Sequence, residues 1–358
     1  LVHKTLSLFS KATPESWFAA LSDEQLSWLK LHVKEKPADT VYRSNNDQIN
    51  ERLQQLGVLI YNILQLGPEP KSTEYETLRR VFGEQYELEE EQKIQLKGNK
   101  EISAKSVQSP HDTECTFRNK NGENTKGYSH NLSETCDAEN DIKLITDIQT
   151  DVATMADNEF MKPAIENSQD VLNDKVKNLH ADGAYNSQDN QGFVQENDIN
   201  FYLTGFQGAP ARYQITKVEN EPKCIDTQED KKIEVTMTPK GKYRIKTEKG
   251  YRYFTEKDIE GQELRRQIEQ IPRKIANIRN NVEASIYQLA YPLRKDKTKY
   301  RGLFKNKIWA VLRCAWVNCV RITNFIIKNV NNEETVQHVN EFLTLLESLI
   351  KIKSLRIA

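Results

Sequence analysis

With 358 residues, 37% of them hydrophobic and 29% charged, the chain is long enough for more than one hydrophobic core and typical of a globular protein. Its 51 basic and 52 acidic side chains leave a formal net charge of -1, which excludes a uniformly basic surface and restricts any nucleic-acid-binding region to a local patch. Polar residues interrupt the longest apolar stretch, 308–327, so we predict a buried helix there and no membrane span.

The cysteines and the start of the chain indicate a cytoplasmic protein. The five cysteines are odd in number and form no Cys-x-x-Cys pair, which favours reduced thiols and argues against a zinc site. No secretory signal pattern is present, and Leu1 already lies in a predicted helix. We therefore expect that further residues precede Leu1 in the natural protein.

The first 107 residues are predicted to form a helical region that ends in a charged linker. Apolar side chains recur at helical spacing in two stripes, and Gly67-Pro68 is a natural stop for the second. The run from Glu87 to Lys105 is rich in Glu, Lys and Gln, which predicts a solvated helix followed by a linker.

After Ser109-Pro110 the pattern changes to strands. Three short strands are predicted, at 116–118, 127–132 and 143–148. A helix at about 157–177 and a strand ending at Ala181 follow. Residues 198–257 alternate as half-buried strands do, with strands at 201–203, 213–215, 233–236 and 243–246. From 258 the chain is helical, with a helix from Arg273 to Leu289 and a last amphipathic helix over 331–358.

Two carboxylates, 101 residues apart (283 − 182), carry the candidate chemistry. Asp182 closes a predicted strand, and Glu283 lies within a predicted helix. Carboxylates from a strand end and a packed helix can converge on Mg²⁺ or Mn²⁺. Two such ions cleave a phosphodiester by activating the attacking water or 3′-hydroxyl and by stabilising the leaving oxygen. The alternative interpretation is a turn residue at Asp182 and a solvated helix position at Glu283.

Several motifs, spread over residues 105–325, resemble the DDE-type transposases of bacterial insertion sequences. They are Ser109-Pro110-His111-Asp112, Lys126-Gly127-Tyr128, the run from Ala181 to Asn186, Asn281-Val282-Glu283-Ala284, Tyr300-Arg301-Gly302-Leu303 and the run from Trp316 to Ile322. The resemblance implies an α/β, RNase H-like fold, with a mixed sheet flanked by helices, in which an Asp, Asp, Glu triad holds Mg²⁺ or Mn²⁺. Asp182 then matches the second acid and Glu283 the third.

The resemblance also implies a domain organisation and partners. Residues 108–197 and 258–330 correspond to the two parts of the RNase H-like core, and 198–257 to an inserted β-rich subdomain. Double-stranded DNA at transposon ends is the implied substrate, with a homodimer in the synaptic complex and no membrane. The implied location is the bacterial cytoplasm, on the nucleoid when DNA is bound.

The first acid of the triad has no clean match. The segment from Leu1 to Leu6 resembles the helix that follows this acid in the family, so we expect the acid upstream of Leu1. Asp39 is a superficial match in a polar loop. Asp112 precedes the first predicted strand and is the best substitute, although a turn or strand-edge carboxylate is the alternative interpretation.

Basic side chains form the candidate DNA contacts. Arg279 lies one helical turn before Glu283, a spacing at which related transposases place an Arg that contacts DNA; a surface pair with the acid is the alternative. The family's Tyr before this Arg is Ala276 here, and its Lys after the Glu is Ala290. A basic stretch after the Glu283 helix supplies the remaining candidates, Lys299, Tyr300, Arg301, Lys305 and Lys307, or else it is a solvated loop.

Three functions are therefore open. The sequence favours a transposase that cleaves and transfers DNA strands at insertion-sequence ends with a divalent metal. The alternatives are a truncated, inactive remnant that only binds DNA, and a helical protein-interaction module that uses the apolar stripe from Leu343 to Leu349.

Overall fold

The structure, a computed structural model, shows a mixed α/β chain, as predicted. The structure describes residues 1–34, 45–67, 72–89, 93–120, 122–137, 139–205, 210–218, 221–294 and 297–329, with 337–338, 340–341 and 344. Two compact units are present. The first comprises Leu1–His130, Thr150–Met155 and Leu293–Val311; the second comprises Asn131–Gln149, Ala156–Pro292 and the described residues from Leu312 onward. Asp39 and the 343–349 stripe lie outside the described residues.

Four helices form the largest core of the first unit. They are α1 (Val2–Ala12), α2 (Asp23–Lys34), α3 (Asn46–Gln65) and α4 (Thr73–Gln85), with a 3-10 helix at Glu15–Ala20. Asn45 begins α3 with a capping box, because its side chain accepts from the Gln48 amide and the Gln48 side chain accepts from the Asn45 amide. Phe9 and Leu59 are fully buried in this core. The prediction of helices in this region is confirmed.

The prediction of a solvated helix from Glu87 is wrong, because a β-hairpin follows α4 instead. Strands β1 (Tyr86–Leu88) and β2 (Ile94–Leu96) pair antiparallel. The hairpin is held by Tyr86, whose buried ring stacks on Phe82 and whose hydroxyl donates to the Leu53 carbonyl at 2.8 Å. Two buried side chains, Tyr86 and Ile94, outweigh the polar residues between them.

The three predicted strands are confirmed as β3 (Thr116–Lys120), β4 (Glu123–Glu134) and β5 (Ile145–Val152), which form one sheet in that order. Strand β3 pairs antiparallel with the beginning of β4, from Thr116 opposite Gly127 to Lys120 opposite Glu123. Asn131, at which the second unit begins, lies within β4.

In the second unit, two helices and two parallel strands surround Asp182. The elements are α5 (Met161–Leu172), preceded by a 3-10 helix at Asp157–Phe160, then β6 (Asn178–Ala181), α6 (Gln188–Glu196) and β7 (Asn200–Leu203). Strands β6 and β7 run parallel, so that Ala181 lies opposite Leu203. Met161, Ile165, Val194 and Ile199 form the buried core between these elements.

The β-rich segment has a hydrophobic core of its own. Its strands are β8 (Tyr213–Val218), β9 (Glu221–Asp226), β10 (Lys231–Ile233), β11 (Val235–Met237), β12 (Tyr243–Thr247) and β13 (Gly250–Phe254), in two three-stranded antiparallel sheets. The predicted strand at 233–236 is divided at Glu234, where the chain passes from one sheet to the other. Ile215 and Ile245 are fully buried between the strands and α7 (Glu256–Gln270).

The helical remainder is more broken than predicted. The expected continuous helix from Arg273 to Leu289 consists of α8 (Arg273–Ala276), a 3-10 turn at Asn277–Arg279 and α9 (Asn280–Ala290). Then follows α10 (Leu303–Asn329), which is long and apolar enough to cross a membrane by length and composition, although little of its apolar window is buried. The prediction of a buried helix there is therefore only partly correct: Cys314 and Val317 are buried, whereas Leu312 and Ile322 are exposed.

Candidate metal and DNA site

Asp182 lies at the carboxyl end of β6, where it begins a 3-10 helix at Gly183–Tyr185. Its Oδ1 accepts a hydrogen bond from the Ala184 amide at 2.8 Å, as an N-cap side chain does. The Thr204 amide donates to the Ala181 carbonyl at 3.0 Å, so the end of β7 fixes the end of β6. The other carboxylate oxygen of Asp182 remains available for a second contact.

Buried amides hold the turn that follows Asp182. Asn190, which is almost fully buried, donates through Nδ2 to the carbonyl oxygens of Tyr185 at 2.8 Å and Asn158 at 2.9 Å. The Tyr185 hydroxyl donates to the Asn131 side chain. Burial, followed by the carboxylates of Asp182 and Asp157, raises the pKa of Tyr185 to about 12, so the phenol stays protonated at neutral pH.

Glu283 lies on the exposed face of α9, and one arginine joins it to Asp182. Arg279 Nη1 donates to Glu283 Oε1 at 2.7 Å, and Arg279 Nη2 donates to Asp182 Oδ2 at 3.3 Å. The Asp182 and Glu283 side chains are 37% and 54% exposed, so a ligand in solvent can reach both. The structure therefore brings the two predicted acids to a single guanidinium.

A buried ion pair holds the helix that carries Glu283. The Glu134 carboxylate, only 2% exposed, accepts from Arg321 Nη1 at 3.1 Å and also contacts the Ser285 hydroxyl, which is fully buried in α9. Arg321 Nη2 donates to Ser285 Oγ at 2.5 Å and to Gln288 Oε1 at 3.0 Å. This ion pair connects β4 and α10 to α9 at Ser285, which lies two residues after Glu283.

Helix α10 is fixed to β5 by the side-chain amide of Asn318, which bonds both backbone groups of Ile145 as a neighbouring strand would. The Ile145 amide donates to Asn318 Oδ1 at 2.9 Å, and Asn318 Nδ2 donates to the Ile145 carbonyl at 2.8 Å. Arg321 lies three residues further along the same helix face. The sequence shows Asn318 and Arg321 within the motif at 316–322, but nothing in their spacing identified their partners.

Whether these residues suit a divalent metal depends on the donor set. Carboxylate oxygens are the protein ligands that Mg²⁺ and Mn²⁺ prefer, and Asp182 and Glu283 supply them from two different elements. Arg279 already places a positive charge between them. Among the described residues, no group of three or more His, Cys, Asp or Glu side chains is placed to hold a metal ion. The two acids thus supply two oxygen ligands of the kind that these metals prefer, and their role in metal binding stays a prediction.

Asp112 lies in the first unit and has structural partners. Its carboxylate accepts from the Tyr128 hydroxyl at 2.5 Å and from the Gly302 amide at 3.1 Å, at the beginning of α10. Gly302 has a φ of +87°, which a glycine adopts without strain. Burial and then the bond to Asp112 raise the pKa of Tyr128 far above its usual value. These contacts favour the structural interpretation of Asp112; a catalytic role for it stays a prediction.

The basic candidates after Glu283 also belong to the first unit. Lys299, Arg301, Lys305 and Lys307 are exposed, whereas Tyr300 is half-buried. The Tyr300 carbonyl accepts from the Asn306 side chain at 3.4 Å, so the loop that carries Lys299 and Arg301 is tied to the first turns of α10. Exposed cations on an ordered loop suit phosphate contacts. Their role in DNA binding stays a prediction.

Comparison with known proteins gives the family. A family model described as "Transposase DDE domain" matches residues 102–319, which is more than half of the chain and includes Asp182, Arg279 and Glu283. No curated protein and no solved structure shows a significant match to the chain. Because the matched region spans most of the elements around these side chains, the chain belongs to the family of transposases with a DDE domain.

Proposed function

We propose that the chain carries out metal-dependent cleavage and transfer of DNA strands at insertion-sequence ends, with Asp182 and Glu283 as metal ligands. The observation that supports this is the convergence of these two carboxylates, 101 residues apart (283 − 182), on Arg279 in a member of the DDE transposase family. Mg²⁺ or Mn²⁺, when bound there, supplies activation of the attacking oxygen and stabilisation of the leaving oxygen.

The remaining residues serve to bind and orient the substrate. Arg279 is paired with both acids and is about one-quarter exposed, so its guanidinium can also bind a DNA phosphate that approaches them. Lys299, Arg301, Lys305 and Lys307 contact the DNA backbone. We further propose a homodimer in the synaptic complex and action on chromosomal DNA in the cytoplasm, as is typical of the family.

The proposal includes an RNase H-like core formed by 108–197 and 258–330. Strands β3, β4 and β5, the helix α5 and the strand β6, which ends one residue before Asp182, follow one another in the order that such a core requires. The inserted subdomain predicted at 198–257 then begins at β8, because β7 pairs with β6 beside Asp182. The separate hydrophobic core around Ile215 and Ile245 supports the insertion, because an inserted subdomain must bury its own apolar side chains.

The test is Mn²⁺ binding, measured as the loss of free Mn²⁺ signal in electron paramagnetic resonance. Asp182→Asn and Glu283→Gln should each weaken Mn²⁺ binding at least tenfold, since each removes one charged ligand. Glu263→Gln is the matched control, because Glu263 pairs with Arg266 one turn away on an exposed helix face and lies in the same unit. Equal losses in Glu283→Gln and Glu263→Gln contradict the proposed site.

Strand cleavage of labelled DNA that flanks the gene distinguishes the rival functions. Cleavage that requires Mg²⁺ or Mn²⁺ and is lost in Glu283→Gln, with DNA binding retained, is the expected result. DNA binding without metal binding or cleavage in the unaltered chain supports the inactive remnant. No salt-dependent DNA affinity at all supports the protein-interaction module.

A further inference from the structure

Helix α9 and its C-cap residue present two exposed aromatic rings on the face that carries Glu283. Tyr287 follows Glu283 by four residues and Tyr291 by eight, so the three side chains lie along one helix face, about 6 and 12 Å apart along the axis. The tyrosine side chains are 67% and 75% exposed, and their ring centroids lie 6.0 Å apart. The Tyr291 amide still donates to the Tyr287 carbonyl at 2.8 Å, which keeps the second ring in helical register.

The chain that leads to these rings is basic, which suits a polyanion. Between Arg273 and Tyr291 it has three basic residues, Arg273, Lys274 and Arg279, and one acidic residue, Glu283. Arg279 is already paired with Asp182 and Glu283, so the positive charge that is left comes from Arg273 and Lys274, which are exposed in α8.

We infer that Tyr287 and Tyr291, which we name the tyrosine pair, bind unpaired bases of the DNA substrate beside Glu283; this rests on the proposed function only in that the substrate is DNA. An aromatic ring stacks on any base, so such a surface needs no particular sequence, and it favours bases that have left the duplex. The tyrosine hydroxyls can also donate to phosphate oxygens. DNA strands that separate near a cleavage position present both unpaired bases and phosphate oxygens.

The test compares two DNA ligands by fluorescence anisotropy with the full chain. One is a blunt duplex of mixed sequence, and the other is the same duplex with three unpaired bases at one end. The unaltered chain should prefer the unpaired end, and Tyr287→Ala/Tyr291→Ala should reduce that preference at least tenfold, since base stacking on one aromatic side chain contributes about this factor. Tyr287→Leu/Tyr291→Leu keeps apolar area without a flat ring and should behave like the alanine variant.

The matched control is Tyr251→Ala/Tyr253→Ala, because these two side chains are each 55% exposed and lie on one face of β13. It should keep the preference for the unpaired end. Equal affinity of the unaltered chain for both ligands overturns the inference, and so does an equal reduction in the control. If Tyr287→Ala/Tyr291→Ala abolishes a dimer in sedimentation and leaves the DNA preference unchanged, the tyrosine pair contacts a second copy of the chain instead. Mn²⁺ binding is measured without DNA, so a failure of the proposed metal site can be distinguished from a failure of this inference.

Discussion

Replacement of Arg321 by Met should destabilise the second unit far more than loss of an ordinary surface arginine. Arg321 is 18% exposed and its partner Glu134 is 2% exposed, so the substitution leaves a buried carboxylate without its cation. Breaking such a pair costs about 3–5 kcal/mol, whereas exposed pairs contribute about 0–1 kcal/mol. Arg79→Met is the matched control, because Arg79 and Glu76 form a pair in which both side chains are more than half exposed.

Urea unfolding followed by intrinsic fluorescence measures these losses. The double variant Arg321→Met/Glu134→Gln should lose less stability than Arg321→Met alone, because the neutral amide removes the uncompensated charge. A loss in Arg321→Met no larger than that of Arg79→Met refutes the reasoning. Equal losses in the single and double variants show that hydrogen bonds to Ser285 and Gln288, and not the buried charge, hold α9.

Three further substitutions separate the roles assigned above. Arg279→Met should raise Mn²⁺ affinity severalfold in the absence of DNA, because the guanidinium is paired with both acids. It should also lower DNA affinity severalfold, because it removes the proposed phosphate contact. Unchanged Mn²⁺ affinity argues against the site. Asp112→Ala should cost about 1–3 kcal/mol of unfolding free energy and leave Mn²⁺ binding unchanged, whereas reduced Mn²⁺ binding identifies Asp112 as a ligand. Gly57→Ala should destabilise by about 1–3 kcal/mol in thermal or urea unfolding, because its Cβ would lie 2.5 Å from the Tyr86 ring, while Gly83→Ala, with open space around its Cβ, should be neutral or stabilising.

Hydrophobic periodicity predicts most of the elements, and its failures have a common cause. The strands before Asp182 are found because apolar and β-branched residues alternate there. The hairpin after α4 is missed because only Tyr86 and Ile94 are buried in it, and the polar residues between them resemble a solvated helix. Local patterns do not show that the Tyr86 ring will pack against α3, which lies some 30 residues earlier in the sequence.

The candidate site shows the same division between local and distant information. A strand that ends in Asp182 and a helix that contains Glu283 are visible in the sequence, because each is a local pattern. The side chains that place them are polar, with Asn190 buried and Asn318 and Arg321 half-buried, and periodicity treats such residues as solvent-facing. Their partners are backbone groups and a carboxylate far along the chain, which no spacing rule identifies.

The position of Glu283 beside Asp182 depends on these polar contacts more than on apolar packing. Helix α9 buries only Ser285 and Leu289, and its other face carries Glu283 and the exposed Tyr287. Apolar burial alone leaves a short helix free to slide or rotate, because hydrophobic contacts have little directional preference. The hydrogen bonds of Arg321 to Ser285 and to Glu134 have defined geometry and therefore fix the rotation of α9 about its axis. Since that rotation decides which face Asp182 meets, a residue that touches neither acid determines whether the two can share a ligand.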